Sequence, residues 1–328
     1  MPVATPSRVL QTHDPAALDA TSWPIATGTL PFPAVRPDGA LVQLLGADEW
    51  AGTFAEIAGA GFDSLEITDT WLRPGDLSPV ELADLGAAAA GQGLDTVAVA
   101  LIRRSILDAD HAAENLAYSH RSIEAAAALG ARVVSVGLHE ALLPAQREAL
   151  WFWTEAGAHN DPGDGRAWTA AVTGFRELGR HAADNGLLLT LEMYEDTFLG
   201  SAASAVRLVE EIGMTEVGLN ADTGNLIRVH RPIEPWRDVL AAVLPYVNYW
   251  HVKNYARDED PATGQVHAVP TSLELGLIDY RWAMRAARDA GFAGILTCEH
   301  YGGDGLSVSA TNARYLRSVI PATVRGAS

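Results

Sequence analysis

An Ala-rich amphipathic stretch ending in Gly, followed by a short continuous apolar run, recurs along the chain. The pairs are AEIAGAG then FDSLEIT, LGAAAAGQG then LDTVAVAL, SIEAAAALG then ARVVSVGLH, LGRHAADNG then LLLTLEMY, VEEIGM then TEVGLNAD, and RAARDAG then FAGILTCEH. Gly61, Gly93, Gly130, Gly186, Gly213 and Gly291 each stand where a helix end calls for a left-handed residue. The runs after them are continuous and β-branched rather than alternating, as in parallel strands covered on both faces. PYVNYWHVKNY, after the helical PWRDVLAAVL, adds one more. The expected strands are 62–68, 95–101, 132–138, 187–193, 216–222, 246–252 and 293–299, with an eighth within Ile25–Pro33 ahead of a helix around Glu49–Gly59. Eight alternations of strand and helix close an α/β fold of the (β/α)8 TIM-barrel type. An open doubly wound sheet would want a Gly-rich phosphate turn after an early strand, and the sequence has none.

The rhythm is interrupted in few places. Residues 1–24 read as an N-terminal arm, and the last few residues as a second arm. Insertions follow two strand ends, at 140–167 (containing LWFWTEAGAHNDPGDGRAW) and at 256–278 (polar, containing RDEDPATGQ). Both fall on the face where barrel active sites lie. A single barrel domain over 1–328 is expected, since such barrels reach about 250 residues and more.

Charge narrows the partners. With 41 acidic against 23 basic side chains the net charge is −18, which repels polyanions. The chain has no Lys/Arg cluster beyond Arg103-Arg104, read as a solvated pair, so neither nucleic acid nor an anionic membrane is an expected partner. The single cysteine, Cys298, rules out an internal disulfide and is expected to be packed and inert. No charged start followed by an apolar stretch and no apolar run near 20 residues is present, so a soluble cytoplasmic protein is expected.

Four successive strand ends carry metal-type ligands: Glu192 in TLEMYE, Asp222 in LNADTGN, His251 in YWHVKN and Glu299 in LTCEHY. Strand parity puts their immediate neighbours on the outer, buried face, while Tyr249 and Lys253 share the side of His251. One acidic residue at a strand end is often only a helix N-cap. Four in succession point instead to a mostly oxygen site for one divalent cation, Mn2+ or Mg2+ ahead of Co2+ or Zn2+. His139, at the fourth strand end, is a candidate general base. Glu140, Lys253 and Glu195 are candidate substrate contacts. Trp151, Trp153 and Trp168 could stack on a ring, form a small loop core, or meet another subunit.

The barrel rhythm with LEMYE, NADTGN, WHVKN and TCEH resembles the xylose isomerase-like superfamily of sugar phosphate isomerases and epimerases over about residues 48–315. The resemblance implies that Glu192, Asp222, His251 and Glu299 bind a divalent metal, and that Glu192 and Glu299 also move protons. Two positions depart from the common epimerase pattern: Asn225 replaces a histidine in D-x-x-H, and Asn254 replaces an acid in H-x-K-D. The DNA-cleaving branch of the superfamily, with its basic groove, does not suit the acidic charge.

SVGLHEALL, LWFWT and the aromatic insertion resemble more narrowly the larger subunit of bacterial C-glycoside deglycosidases. That resemblance implies Mn2+, a small second subunit, a higher oligomer, and cleavage of a 3-keto C-glycoside by a carbon–carbon lyase reaction with His139 as base. The alternatives are a metal-dependent sugar isomerase or epimerase acting through an enediolate, and a non-catalytic sugar-binding or scaffold subunit.

Overall fold

The structure, a computed structural model, describes residues 7–321; the first six residues of the expected arm and the final residues of the chain lie outside it. Eight parallel strands form a closed barrel: β1 (Ile25–Gly28), β2 (Ser64–Thr68), β3 (Asp95–Ala100), β4 (Val133–Val136), β5 (Leu188–Glu192), β6 (Val217–Asn220), β7 (Val247–Val252) and β10 (Ile295–Cys298). Each pairs with its sequence neighbour, and β1 closes on β10. A separate antiparallel hairpin, β8 (Asn254–Glu259) and β9 (Val266–Thr271), stands after β7. This is a (β/α)8 TIM barrel. The six predicted helix-ending glycines all have positive φ, from 69° at Gly213 to 94° at Gly61, the conformation that L side chains resist.

Parity divides each barrel strand between two cores. Outward residues such as Val134, Leu189, Leu191, Trp250 and Leu296 join the large core beneath the helices. Inward residues at the bottom of the barrel form a small apolar cluster of Ala26, Ala98, Val133, Tyr249 and Ile295. Higher up the same strands the inward residues turn polar: Ser135, Thr190, Asn220, His251, Thr297. The interior therefore grades from apolar to ionisable toward the C-terminal ends.

The N-terminal arm seals the bottom. Arg8 N donates to Pro245 O at 2.7 Å and Leu10 N to Thr215 O at 2.8 Å, just ahead of β7 and β6. Gln11 bridges Val247 O and Ala293 N, at 2.8 Å each, and buried Trp23 donates Nε1 to Gly294 O at 3.0 Å.

The second insertion differs from expectation. It is not an irregular polar loop: β8 begins at Asn254, before the expected boundary, and its turn closes through Gly264 (φ 72°). Charged side chains along Arg257–Glu259 hide the strand from a hydrophobicity reading, yet one face is anchored. Arg257 caps Ile227 O at 3.0 Å, and Asn254 Nδ2 holds Leu273 O and Ile278 O at 2.8 and 2.9 Å. Thus Asn254, where the epimerase pattern has an acid, fastens the end of the hairpin connection.

Closure between β7 and β10 needs the bare backbone of Gly294. A Cβ there would lie 2.3 Å from Asn248 O and 2.5 Å from the Phe292 ring. Gly294→Ala is expected to cost about 1–3 kcal/mol through overpacking against backbone. Denaturant unfolding measures it, and an unchanged midpoint would show that this strand pair can shift freely.

Candidate metal centre

Barrel geometry brings Glu192, Asp222, His251 and Glu299 to one end of the barrel interior, all buried. Their ligand atoms fall into two overlapping groups that share His251: Glu192–Asp222–His251 and Glu66–His251–Glu299, each with atoms within 4.8 Å of one another. Glu66, on β2, did not stand out in the sequence. The only signal was a carboxylate between Leu65 and Ile67 in FDSLEIT.

Local irregularities aim these side chains. The β6–β7 ladder slips between Leu219 and Asn220, and the β2–β3 ladder between Leu65 and Glu66; bulges of this kind re-aim side chains. At the first slip, Asn220 Oδ1 accepts the His251 backbone N–H at 2.8 Å. Asp222 serves twice. Its Oδ1 caps the short helix Thr223–Ile227 by accepting Asn225 N at 3.3 Å, while Oδ2 faces the interior. Asn225, at the position where the epimerase pattern has histidine, donates Nδ2 to Glu192 Oε1 at 3.0 Å and to Met193 O at 2.9 Å. It holds Glu192 by an amide rather than an imidazole.

Lys253 reaches into the cage. Its Nζ lies 2.6 Å from Asp222 Oδ2 and 2.7 Å from Glu299 Oε2. The approach depends on Gly224, where a Cβ would sit 2.4 Å from Lys253 Cγ. His251 Nδ1 lies 3.3 Å from Glu299 Oε1 and 3.7 Å from Asp222 Oδ2. Asp222 and Glu299 thus flank the Lys253 ammonium, and Glu66 and Glu192 lie near the same His251 ring, all out of water. Buried charge of one sign is costly unless compensated.

The ionisation tendencies reflect that excess. Burial opposes the imidazolium of His251, but Glu299, Glu66 and Asp222 outweigh it and push the ring well above its ordinary value. Burial raises Glu192 to about 7, with Asp222 and Glu299 adding to the effect against His251 and Lys253. Burial also works to raise Asp222, but Lys253 and His251 hold it below its ordinary value.

The residues fit a divalent cation. Glu66 Oε1 and His251 Nδ1 are buried without hydrogen-bond partners, which is unusual unless something else satisfies them. Lys253 Nζ meanwhile sits between two carboxylates as a cation stand-in. Carboxylate oxygens with one imidazole are the donor set of hard divalent ions.

Beside the cage a cavity of about 350 Å³ opens, lined among others by Arg103, His139, Glu140, Trp153, Tyr194 and Glu195. His139 is buried and stacks on Tyr194, ring centroids 4.5 Å apart at 14°. Both its ring nitrogens lack partners. Burial, then Arg103, Arg228 and Lys253, hold its pKa well below 6.5. The first insertion covers this mouth: Gln146 and Trp153–His159 line the cavity, and Trp151 stacks on Trp153 at 5.0 Å. Trp151 is itself a support rather than part of the wall.

Several expectations need correction. Trp168 is not at the mouth; it lies on the helix Gly165–Asp184, edge-on to Phe198, with Nε1 donating to Glu211 at 2.6 Å. Arg103-Arg104 is not a solvated pair. Arg104 pairs with buried Asp69 at 2.8 Å, and Arg103 (φ 60°) donates to Glu140 O and covers Phe152. Arg228 was missed. Fully buried, it forms a bidentate pair with Glu195 (2.8 and 2.9 Å) and lies 4.8–5.8 Å from the rings of Phe152, Trp153, Tyr194 and Tyr301.

The model of the xylose isomerase-like TIM barrel family matches residues 54–319. The chain belongs to that family. A solved xylose isomerase-like TIM barrel protein from Mycobacterium smegmatis, in complex with magnesium, is 40% identical, with a TM-score of 0.88 over 92% of this chain and 98% of that one. A 3-keto-D-glucoside 4-epimerase from E. coli is 16% identical (TM-score 0.60, 90% of this chain and 100% of that one). A D-psicose 3-epimerase solved in the presence of D-fructose is 17% identical (TM-score 0.63, 90% and 99%). At those identities the likeness concerns the fold. A search of functionally curated proteins found no match. The narrower resemblance to C-glycoside deglycosidases, expected from SVGLHEALL, LWFWT and the aromatic insertion, is not shown by these comparisons. Among the described residues no helix is long and apolar enough to cross a membrane.

The Glu195–Arg228 pair yields a stability test. Glu195→Ala alone leaves a guanidinium unpaired in an aromatic cage and is expected to cost about 3–5 kcal/mol. Adding Arg228→Met should recover part of that loss. Urea unfolding compares the two, and a double variant weaker than the single would contradict the pairing account.

Proposed function

We propose that the chain is a divalent-metal-dependent sugar isomerase or epimerase that removes a proton from the carbon beside a carbonyl. The observation that carries the reading is the cage of four carboxylates and His251 next to an unpartnered, neutral His139. Family membership supports it, and the epimerases of like fold act on keto sugars. Glu192, Asp222, His251 and Glu299 would hold the ion, Mn2+ or Mg2+ before Co2+ or Zn2+. A bound divalent ion supplies Lewis-acid stabilisation of negative charge, a contribution of several kcal/mol.

The residues of the chain do the rest. His139, kept uncharged by burial and neighbouring cations, accepts the proton; positioned base catalysis contributes about 10²–10⁴-fold. Its stacking on Tyr194 limits ring rotation. The electron pair left on carbon delocalises onto the carbonyl oxygen as an enediolate. Glu192 or Glu299 returns a proton, to the other face of the same carbon for epimerisation or to the adjacent carbon for isomerisation. Glu140, Trp153, Lys253 and Glu195 bound the space for the sugar, with Trp151 behind Trp153.

A second reading, the C-glycoside lyase, shares the first step. The cavity outside the ligand cage, walled by Trp153 and Tyr194, favours it by offering room for an aglycone. The C2 proton of a 3-keto sugar leaves, a C1–C2 double bond forms, and the C1–aryl bond breaks as the aryl carbon gains a proton. A small second subunit belongs to this reading, and its co-purification with the chain would favour it.

Turnover in D2O followed by NMR tests the proposal. Deuterium should enter the product at the carbon next to the carbonyl, and His139→Ala should lower kcat by at least two orders of magnitude while bound metal stays at the wild-type level. Because His139 sits well below 6.5, its acid limb in kcat/KM should also lie below pH 6.5. Full turnover by His139→Ala would remove His139 from the reaction, and product without deuterium would contradict an enediolate open to solvent.

A further inference from the structure

Glu66 is the one buried carboxylate of the cage that the proposed reaction does not use. It lies fully buried on β2. Its Oε2 accepts two hydrogen bonds, from Tyr249 OH at 2.7 Å and from His251 Nε2 at 2.8 Å, and Thr297 Oγ1 lies 2.5 Å from the same phenol oxygen. An ionised carboxylate only accepts. The proton in the contact with His251 therefore belongs to Nε2. A cation at Nδ1 would take the place of the proton on that nitrogen and leave the hydrogen on Nε2 in its contact with Glu66. Nδ1 faces Glu299 and Asp222 and has no hydrogen-bond partner.

We propose that Glu66 is a positioning residue: it fixes His251 in the Nε2–H form and turns Nδ1 toward the cation, without being a ligand itself. The inference rests on the metal reading above. The competing arrangement places the ion among Glu66, whose Oε1 has no hydrogen-bond partner, His251 and Glu299, the second of the two groups of ligand atoms. Two observations favour the first. Oε2 is already engaged by the Tyr249 hydroxyl, so Glu66 is anchored from below by the Tyr249–Thr297 pair. In addition, His251 Nδ1 has no hydrogen-bond partner and lies 3.3 Å from Glu299 Oε1 and 3.7 Å from Asp222 Oδ2, whereas it is Nε2 that meets Glu66. Carboxylates in this role raise the basicity of a ligating histidine and hold its ring in plane, and their loss weakens metal binding about 10–100-fold.

The test is Mn2+ titration of the metal-free full chain, with free Mn2+ read by EPR and the imidazole nitrogen by pulsed EPR. Wild type should bind one Mn2+ with a nitrogen coupling. Glu66→Gln should still bind one Mn2+ with that coupling, at a Kd raised about 10–100-fold. Glu66→Asp, which keeps the acceptor one methylene further back, should fall between the two and carries the test should Gln disturb folding. Asp222→Asn, at a proposed ligand, should abolish binding and sets the scale. A wild-type Kd in both Glu66 variants would overturn the positioning role while leaving the metal reading intact. Loss of binding in Glu66→Gln as complete as in Asp222→Asn would make Glu66 a ligand and overturn it in the other direction. A wild-type chain that takes up no Mn2+ would overturn the metal reading and this inference with it.

Discussion

An uncompensated excess of buried negative charge at the C-terminal end of the barrel is the constraint around which the site is organised. Glu66, Glu192, Asp222 and Glu299 all lie out of water, and Lys253 is the ammonium that faces two of them. Desolvating even one ionised carboxylate costs several kcal/mol unless a partner compensates it. The fold tolerates the group because the surroundings are prepared for it. Asn225 holds Glu192, the Thr223–Ile227 helix N-terminus takes one oxygen of Asp222, and Gly224 clears the path for Lys253. The two ladder slips and the unpartnered atoms Glu66 Oε1 and His251 Nδ1 lie at this charge. Sites of this kind are where proteins keep local strain and imperfect pairing for a function.

A second, smaller electrostatic unit forms the wall of the mouth. Arg228 and Glu195 neutralise each other, and four aromatic rings enclose the guanidinium. The insertion that supplies Phe152 and Trp153 is therefore tied to the barrel by cation–π contacts as well as by packing. This explains how a long connection with little regular structure can hold a fixed position over the cavity. Burial, and after it Arg103, Arg228 and Lys253 around the mouth, keep His139 well below its ordinary pKa.

Much of this was legible in the sequence. Seven of the eight barrel strands showed as continuous apolar runs, because a strand buried on both faces leaves an unbroken hydrophobic signal, and the eighth followed from the need to close the barrel. Parity placed Tyr249, His251 and Lys253 on one side of β7, and the structure has them there. What escaped reading was whatever depended on contacts across the barrel. Glu66 sits in β2, some 185 positions from the histidine it touches, so no local pattern marks it. Arg228 looks like a loop arginine until Glu195 and the rings converge on it. The β8–β9 hairpin was hidden because the consecutive charges Arg257–Glu259 break any hydrophobic pattern in β8, and Trp168 shared an aromatic-rich segment with residues whose destination is different. Asn225 was visible only as a departure from a pattern; its role as the amide that orients Glu192 required the structure.

The central claim is that a divalent cation completes this charge balance. The most direct measurement is thermal unfolding of the chain freed of metal with a chelator, then supplied with Mn2+ or Mg2+. A ligand bound only by the folded state adds about 2.7 kcal/mol at a hundred times its Kd. The account predicts a rise in Tm that grows with the concentration of added ion in wild type and is absent in Asp222→Asn. A Tm that does not respond to either ion, or one that rises equally in Asp222→Asn, would contradict it.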